Sequence, residues 1–170
     1  MNTIFSSPRI LFVQVSEELI PDYLVMVNDV ENVQRFIGGI HEPCDYTEAK
    51  EIAWVNDKLS DNSPVFSMLE QSSGRFIGNI EFMSIQDGKA ELGIAITAHM
   101  QDKGFGTEAI KAFLSYGTAR YGITKVVLRA RPWNPRALRV YEKCGFTEYD
   151  RNEDHVYTQI DLPKKEKDTE

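Results

Sequence analysis

Six segments of the chain have the alternating or continuous apolar pattern that predicts β-strands: residues 10–15, 65–70, 75–85, 90–96, 125–131 and 155–162. Two short stretches of turn-forming residues, Ser72-Ser73-Gly74 and Asp87-Gly88, separate the three middle segments. Because connections this short join strands that run in opposite directions, the middle of the chain predicts an antiparallel meander.

Four further segments place apolar residues at helical spacing and predict helices: residues 21–36, 45–60, 107–122 and 134–145. The second begins at an acidic or hydroxyl cap, Asp45 to Thr47, and the last begins at Asn134 with Pro135 behind it. This order of elements predicts a mixed α/β or α+β fold. We expect one domain over residues 1–162 and a charged, disordered tail over residues 163–170.

The composition narrows the class of protein. With 170 residues, of which 42% are hydrophobic, the chain is long enough for one sizeable core. Its net charge of −7 argues against a nucleic-acid partner and fits a cationic or neutral substrate. No stretch approaches the roughly 20 apolar residues that cross a bilayer, and the two cysteines lack the CxxC spacing of a redox or zinc site. We therefore expect a cytoplasmic monomer or homodimer with reduced thiols and no membrane partner.

The loop over residues 101–107 is the most informative segment, because Gly104 and Gly106 lie between a predicted strand and a predicted helix. Glycines let the backbone approach a ligand closely, and a helix N-terminus offers unpaired N–H groups and the positive end of its dipole. Gly104, Gly106 and Thr107 could together surround a pyrophosphate, with Lys103 nearby. The alternative is that the two glycines only make a tight turn.

Two other phosphate-binding motifs fit this loop less well. Residues 104–109 match the dinucleotide pattern GxGxxA, but that pattern expects an acidic residue about 20 positions on, where the chain has Arg129 and Arg131. A doubly wound domain also needs several further βαβ units, and only one strand, one helix and one strand follow. A P-loop NTPase is excluded because the Gly-Lys-Ser/Thr ending is missing.

The stretch over residues 90–146 combines two motifs. A Gln/Arg-x-x-Gly-x-Gly/Ala pattern from Gln101 to Gly106 is followed by a helix, a strand and a complete Asn-x-x-Ala-x-x-x-Tyr-x-x-x-Gly-Phe pattern from Asn134 to Phe146. This third of the chain resembles the GNAT acetyltransferases, particularly the ribosomal-protein-alanine and spermidine N-acetyltransferase branch. The resemblance implies the GNAT acyl-CoA N-acyltransferase fold, a mostly antiparallel central sheet flanked by helices, with strands that splay apart at the CoA cleft. It also implies acetyl-CoA as co-substrate and no metal.

The resemblance assigns roles to residues of this stretch. Pantetheine would lie between the splayed strands and pair with backbone groups of Ile94 and Ile96, and Asn134 would meet the same arm. From the residues alone, Asn134 is equally a helix cap. The loop and the resemblance together predict these cofactor-binding residues: Ile94, Ile96, Gln101, Lys103, Gly104, Phe105, Gly106, Thr107 and Asn134.

Acetyl transfer from a thioester to a primary amine needs a proton acceptor for the amine and a proton donor for the departing thiolate. Free amines near pKa ~10 are mostly charged at neutral pH, so a carboxylate would take the proton, directly or through water. Glu91 and Glu81 are the candidates. Tyr141 resembles the family tyrosine near the thioester sulfur and would protonate the thiolate. From the residues alone, Glu91 is at least as well explained as a solvated strand residue. Tyr141 could be a packed core tyrosine, but the surrounding motif favours the functional role.

A second polar cluster, His41, Glu42, Cys44 and Asp45, lies between the first two predicted helices. We predict no metal site there, because adjacent ligands rarely complete one tetrahedral shell and no HExxH motif occurs. We expect the loop over residues 38–45 to border the acceptor site, the alternative being a surface connector. The acceptor is left open between a small molecule, a polyamine and a protein N-terminus or other peptide. The alternative to an enzyme is a CoA-binding regulatory module without turnover.

Overall fold

The structure is a computed structural model that describes residues 1–37 and 42–164. These residues form four α-helices: α1 (Ile20–Val27), α2 (Glu48–Ser60), α3 (Phe105–Tyr121) and α4 (Pro135–Lys143). They also form eight strands: β1 (Thr3–Ser6), β2 (Ile10–Gln14), β3 (Val65–Glu70), β4 (Phe76–Gln86), β5 (Lys89–Ile96), β6 (Lys125–Ala130), β7 (Thr147–Arg151) and β8 (Val156–Asp161). Short 3-10 helices cover Glu17–Leu19, Gln34–Phe36 and Ala98–Met100.

The strands within the described residues form one sheet with the order β1-β2-β3-β4-β5-β6-β8-β7. Neighbouring strands run antiparallel except β5 and β6, which are parallel. These two pair only over residues 89–91 and 125–127 and then separate, although β5 continues to Ile96 and β6 to Ala130. The expected α+β fold with a mostly antiparallel sheet and splayed strands is confirmed. The split leaves a gap in the middle of the sheet.

Helices cover both faces of the sheet, and the sheet separates the core into two clusters. α3 and α4 pack on one face, where the ring of Phe113 in α3 stacks on Phe82 of β4 with 4.0 Å between centroids. A Cβ on Gly117 would come within 2.6 Å of the Phe82 ring, so only glycine allows α3 to lie this close to β4. α1 and α2 pack on the other face around the buried side chains of Tyr23 and Val55.

Two predictions from the sequence pattern are wrong in detail. The first helix ends at Val27 instead of continuing towards residue 36, because the Asp29 carboxylate accepts the backbone N–H of Asn32 at 3.0 Å and turns the chain. The pattern also misses β1 and β7. β7 is an exposed edge strand paired with β8, so it has no buried face that would require alternating apolar residues. Residues 165–170 of the charged tail lie outside the described residues.

Candidate active site

A cavity of about 790 Å³ crosses the sheet at the gap between β5 and β6. Its walls come from the start of α3 and one side of α4 on one face of the sheet, and from α1 and α2 on the other. Strands β4, β5 and β6 line the part between them. We call the part beside α3 and α4 the α3 end, and the part beside α1 and α2 the α2 end.

The α3 end is built on the loop before α3 and on the first turn of that helix. Asp102 and Gly104 have left-handed backbone conformations, with φ of 60° and 81°, which turn the chain sharply into the helix. Gly104 is the N-cap of α3 and has no side chain, so no capping side chain accepts a hydrogen bond from the first N–H groups of the helix. Gly104, Gly106 and Thr107 all line the cavity, so these free donors lie beside it.

The backbone at Gly106 borders the part of the cavity between β5 and α4. A Cβ at this position would lie 3.4 Å from Ile96 Cδ1 and 3.6 Å from Val140 Cγ1, which are ordinary contact distances. The protein fold therefore has room for a methyl group on residue 106. Because that methyl group would occupy space in the cavity, the glycine favours the approach of a ligand more than the packing of α3.

Arg9, in the turn between β1 and β2, holds the loop from outside the cavity. Its Nη1 donates to the Lys103 carbonyl at 3.0 Å, its Nε donates to Glu108 Oε2 at 2.7 Å, and its guanidinium lies 4.5 Å from the Phe105 ring centroid. Burial raises the pKa of Glu108, but hydrogen bonds from Ser7 and Arg9 outweigh it and hold that pKa below its ordinary value. Since 94 residues separate Arg9 from Lys103, no local motif could indicate this contact.

The other predicted residues of the loop differ in whether they line the cavity. Lys103 is exposed and is not part of the cavity wall, whereas Phe105 belongs to the wall and is buried in the core. Gln101 also lines the cavity, but its Nε2 donates to the carbonyls of Ile96, at 2.9 Å, and Asn32, at 3.0 Å. The Gln101 side chain therefore ties the loop to the end of β5.

Three basic side chains of α4 line the same end, and they are absent from the residues predicted from the sequence. Arg136, Arg139 and Lys143 are exposed and follow one another at helical spacing, so they share one face of α4. Arg136 Nε lies 3.4 Å from Asp102 Oδ1, and its Nη1 donates to Gln101 Oε1. Their spacing inside the second sequence motif is a signal that could have identified them.

The edge of β5 that faces the gap exposes backbone groups. Thr97 donates its N–H to the Ile77 carbonyl of β4 at 2.9 Å, and bonding directions alternate along an antiparallel strand. The N–H and C=O groups of Ile94 and Ile96 therefore point towards β6. Because β6 stops pairing after Glu91, these groups face the cavity instead of a neighbouring strand.

α4 also brings Asn134 and Tyr141 to the cavity. Asn134 caps the helix, since its Oδ1 accepts the backbone N–H of Ala137 at 3.2 Å. Burial, and secondly the neighbouring Cys144, raises the pKa of Tyr141, so its hydroxyl keeps its proton at neutral pH. Burial also raises the pKa of the Cys144 thiol to about 11, which leaves this cysteine unreactive.

Two carboxylates of the sheet line the α2 end. Glu81 of β4 and Glu91 of β5 are diagonal neighbours on one face in the β4–β5 register. Glu91 Oε1 forms an ion pair with Arg129 Nε at 2.9 Å, whereas Glu81 Oε2 lies 3.8 Å from Lys58 Nζ. Burial raises the pKa of Glu81; Lys58 opposes this shift and Glu91 adds to it. The Glu81 carboxylate is therefore more basic than an ordinary exposed carboxylate.

Helix α2 supplies a third carboxylate, Glu51, which lines the cavity and is only 6% exposed. Burial raises its pKa, and within residues 1–37 and 42–164 no side chain or backbone group forms a hydrogen bond or ion pair with it. Tyr46 and Trp54 line the same end. Sequence reasoning misses Glu51 because it is one of several acidic residues in α2, and only its tertiary environment distinguishes it.

The loop predicted to border the acceptor lies partly outside the described residues, which exclude Gly38 to His41. Ile37 and Tyr46, on either side of it, line the cavity, whereas Glu42 and Asp45 are exposed and do not. Among the described residues, no group of His, Cys, Asp and Glu side chains could hold a metal ion. No helix in that part of the chain is long and apolar enough to span a membrane.

The acetyltransferase (GNAT) domain matches residues 9–147. The chain belongs to the GNAT acetyltransferase family. A spermidine N(1)-acetyltransferase of Vibrio cholerae is 29% identical over 125 residues, 72% of this chain and 70% of that protein. An uncharacterized N-acetyltransferase of Bacillus subtilis, YnaD, is 29% identical over 101 residues, 59% of each chain. The crystal structure of a Vibrio cholerae spermidine N-acetyltransferase with CoA and spermine shares the fold, with a TM-score of 0.78 and 21% identity over 93% of this chain and 98% of that one.

As a GNAT acetyltransferase, the protein moves an acetyl group from acetyl-CoA to an amine. The α3 end fits this co-substrate on three grounds: an uncapped helix N-terminus, a backbone free of side chains at Gly104 and Gly106, and basic side chains on α4. A helix N-terminus and basic side chains both favour an anion such as a pyrophosphate, and glycines let it approach the backbone. The free backbone edge of β5 suits the amide groups of pantetheine. The thioester supplies the activated acetyl group.

Proposed function

We propose that this acetyltransferase acts on a primary amine of a small cationic acceptor, and that polyamines are the first acceptor class to test. The observation that carries the proposal is the division of charge along one cavity. Basic side chains outnumber acidic ones at the α3 end, with Arg136, Arg139 and Lys143 against Asp102. Carboxylates outnumber basic side chains at the α2 end, with Glu51, Glu81 and Glu91 against Arg129. An anionic co-substrate and a cationic acceptor would each meet the complementary charge. The name of the Vibrio cholerae relative supports the same acceptor class.

At the α3 end, the backbone N–H groups of Gly104, Gly106 and Thr107 would hold the pyrophosphate of acetyl-CoA. Lys103 and the basic face of α4 would attract its phosphates from solvent, while Phe105 and Gln101 keep the loop in place. The pantetheine arm would pair with the free edge of β5 and meet the Asn134 amide. Because the Ile96 carbonyl already accepts a hydrogen bond from Gln101, the groups left to the arm are the Ile96 N–H and both backbone groups of Ile94.

Proton transfer at the α2 end is assigned to Glu81. A base works best when its pKa approaches the operating pH, and burial raises the pKa of Glu81 in that direction. Glu91 is the weaker candidate because its carboxylate is already held in a short ion pair with Arg129. On the other side of the gap, the protonated Tyr141 hydroxyl is the proposed donor to the departing thiolate.

A panel of amines tests the proposal. Purified protein with acetyl-CoA would be offered spermidine, spermine, diaminobutane, an aminoglycoside and a peptide with a free N-terminus, with product mass and thiol release measured against a reaction without amine. We expect the polyamines to give the highest kcat/KM. Acetylation of the peptide and not of the polyamines would overturn the acceptor class. Thiol release that does not depend on any amine would overturn the proposed reaction.

Three further expectations remain part of the proposal. Cys44 and Cys144 are both free thiols, which supports a reducing compartment and hence the cytoplasm. We propose that residues 1–162 act as one domain, because the match to the GNAT domain already spans residues 9–147. The assembly is proposed to be a monomer or a homodimer, and light scattering on the purified protein would measure it.

A further inference from the structure

Glu51 is a carboxylate of the α2 end that has no part in the proposed proton transfers and is not a candidate for them. Its side chain is buried, it lines the cavity, and nothing in the described part of the chain pairs with it. The Glu51 oxygens are not among the fully enclosed side-chain atoms, so they still reach the cavity. A carboxylate that is largely removed from water and has no partner nevertheless lowers stability, since it loses hydration and gains no compensating interaction. Folding alone therefore gives no reason for a glutamate at this position.

The three carboxylates of the α2 end differ in one respect. Glu81 and Glu91 have basic neighbours in the protein, Lys58 and Arg129 respectively. Burial alone accounts for the raised pKa of Glu51, with no basic side chain opposing it. A ligand that brings its own positive charge would therefore supply the partner that the protein does not provide for Glu51.

The walls of the α2 end indicate what would accompany that charge. They are apolar and aromatic, and they include Met26, Val27, Tyr46 and Trp54. Apolar walls favour a methylene chain over a strongly hydrated group, and the face of an aromatic ring attracts an ammonium ion. A flexible alkyl chain that ends in an ammonium group has both properties.

We propose that Glu51 binds the second ammonium group of a diamine or polyamine whose first amine is acetylated. This inference rests on the proposed function and adds the residue that selects acceptors with two cationic groups. The methylene chain lies along the apolar wall between the two amines. The amine to be acetylated then lies on the side of Glu81 and the gap in the sheet, and the second ammonium lies beneath α2.

A pair of acceptors that differ only in the second charge tests the proposal. Each α,ω-diamine from diaminopropane to diaminohexane is compared with the monoamine in which a methyl group replaces one ammonium, for example diaminobutane with pentylamine. Glu51→Gln keeps the shape of the side chain and removes its charge. We expect the variant to lose about 10- to 100-fold in kcat/KM for the preferred diamine and to keep its kcat/KM for the matched monoamine.

Glu48→Gln provides the control, because Glu48 is in the same helix, is exposed and does not line the cavity. We expect both amines to react with this variant as with the wild type. If Glu51→Gln lost kcat/KM equally for the diamine and the monoamine, the subsite would be overturned and the role of Glu51 would be structural. If neither kcat/KM changed, the subsite would also be overturned. In either case the proposed function stands if the wild type acetylates amines.

Failure of the proposed function can be distinguished from failure of the Glu51 subsite. If the wild type acetylates no amine of the panel, the proposed function fails, and calorimetry with the diamines and CoA then decides the subsite. Diamine binding that Glu51→Gln loses and Glu48→Gln keeps would support it. No diamine binding to the wild type would overturn it.

Discussion

Replacing Gly106 with alanine separates ligand approach from packing at the α3 end. The backbone of Gly106 has a negative φ within α3, and the added Cβ would make ordinary contacts with Ile96 and Val140. Alanine in place of glycine at such a position typically stabilises a protein by about 0.4–1 kcal/mol. For a chain of this length, the melting temperature should therefore rise by about 1–4 °C.

The same methyl group should weaken the binding of acetyl-CoA. It would occupy the cavity beside the first N–H groups of α3, where the pyrophosphate is proposed to lie. A hydrogen bond to a charged group contributes about 1.5–3 kcal/mol. Loss of one such bond would raise the Kd of acetyl-CoA by about 10- to 150-fold, and Gly106→Val should obstruct the approach at least as strongly.

Calorimetric titration with CoA and thermal unfolding together measure the two effects. Gly104→Ala is the contrasting variant, because its φ of 81° disfavours any side chain by about 1–2 kcal/mol, and its Cβ would come within 3.2 Å of Arg9 Nη2. We expect that variant to lower the melting temperature by about 2–8 °C. A folded Gly106→Ala protein with wild-type CoA affinity would refute the proposed position of the pyrophosphate.

Three other substitutions test the chemistry. Tyr141→Phe should lower kcat by about 10²–10⁴-fold and leave the Kd of acetyl-CoA unchanged, because it removes a hydroxyl and keeps the buried ring; single-turnover kinetics and calorimetry measure the two. Glu81→Gln should lower kcat/KM and remove the acidic limb from the pH profile of kcat/KM. In the wild type that limb should lie above the ordinary carboxylate pKa, because burial raises the pKa of Glu81. Glu51→Gln should raise the melting temperature at neutral pH. The gain should disappear well below the ordinary glutamate pKa of about 4.3, where the wild-type carboxyl is protonated in both states.

Each substitution has a result that would contradict its premise. A wild-type rate for Tyr141→Phe across neutral pH would exclude the hydroxyl as proton donor. An acidic limb that persists in Glu81→Gln and disappears in Glu91→Gln would move the base to Glu91. If Glu51→Gln melted at the wild-type temperature at neutral pH, the buried carboxylate would not be destabilising in the free protein.

The α3 end could be predicted from sequence because its information is local. Two glycines before a helical pattern indicate a helix N-terminus open to a ligand, and the structure has Gly104 as the N-cap of α3. Asn134 and Tyr141 belong to one short motif on α4, and both line the cavity. The basic face of α4 follows from the same segment once its residues are arranged at helical spacing. Arg9 could not be predicted, since its contacts depend on how β1 and β2 meet α3.

The α2 end could not be predicted in the same way. Its wall combines α1, α2, β4 and β5, which are far apart in sequence and carry no shared motif. Strand alternation correctly relates Glu91 to Gly93 and Ala95, but the cations beside Glu81 and Glu91 depend on long-range pairing. Glu42 and Asp45 have the chemistry expected of an acceptor loop, yet they are exposed, while Glu51 a few residues later is buried. A fold fixes the position of such a site more reliably than the identity of its ligand.

The raised pKa values at the α2 end connect stability to function. A carboxyl group whose pKa is raised by folding binds its proton more tightly in the folded protein, so the unfolded chain loses its proton first as the pH rises. The stability contributed by that group therefore falls between its ordinary pKa and its raised pKa, and the whole loss is present above the raised pKa. Both Glu51 and Glu81 behave in this way. A cationic acceptor would remove part of the cost when it binds, because it stabilises the ionised forms of both groups. The carboxylates of the α2 end thus lower the stability of the free protein and would favour the binding of an amine.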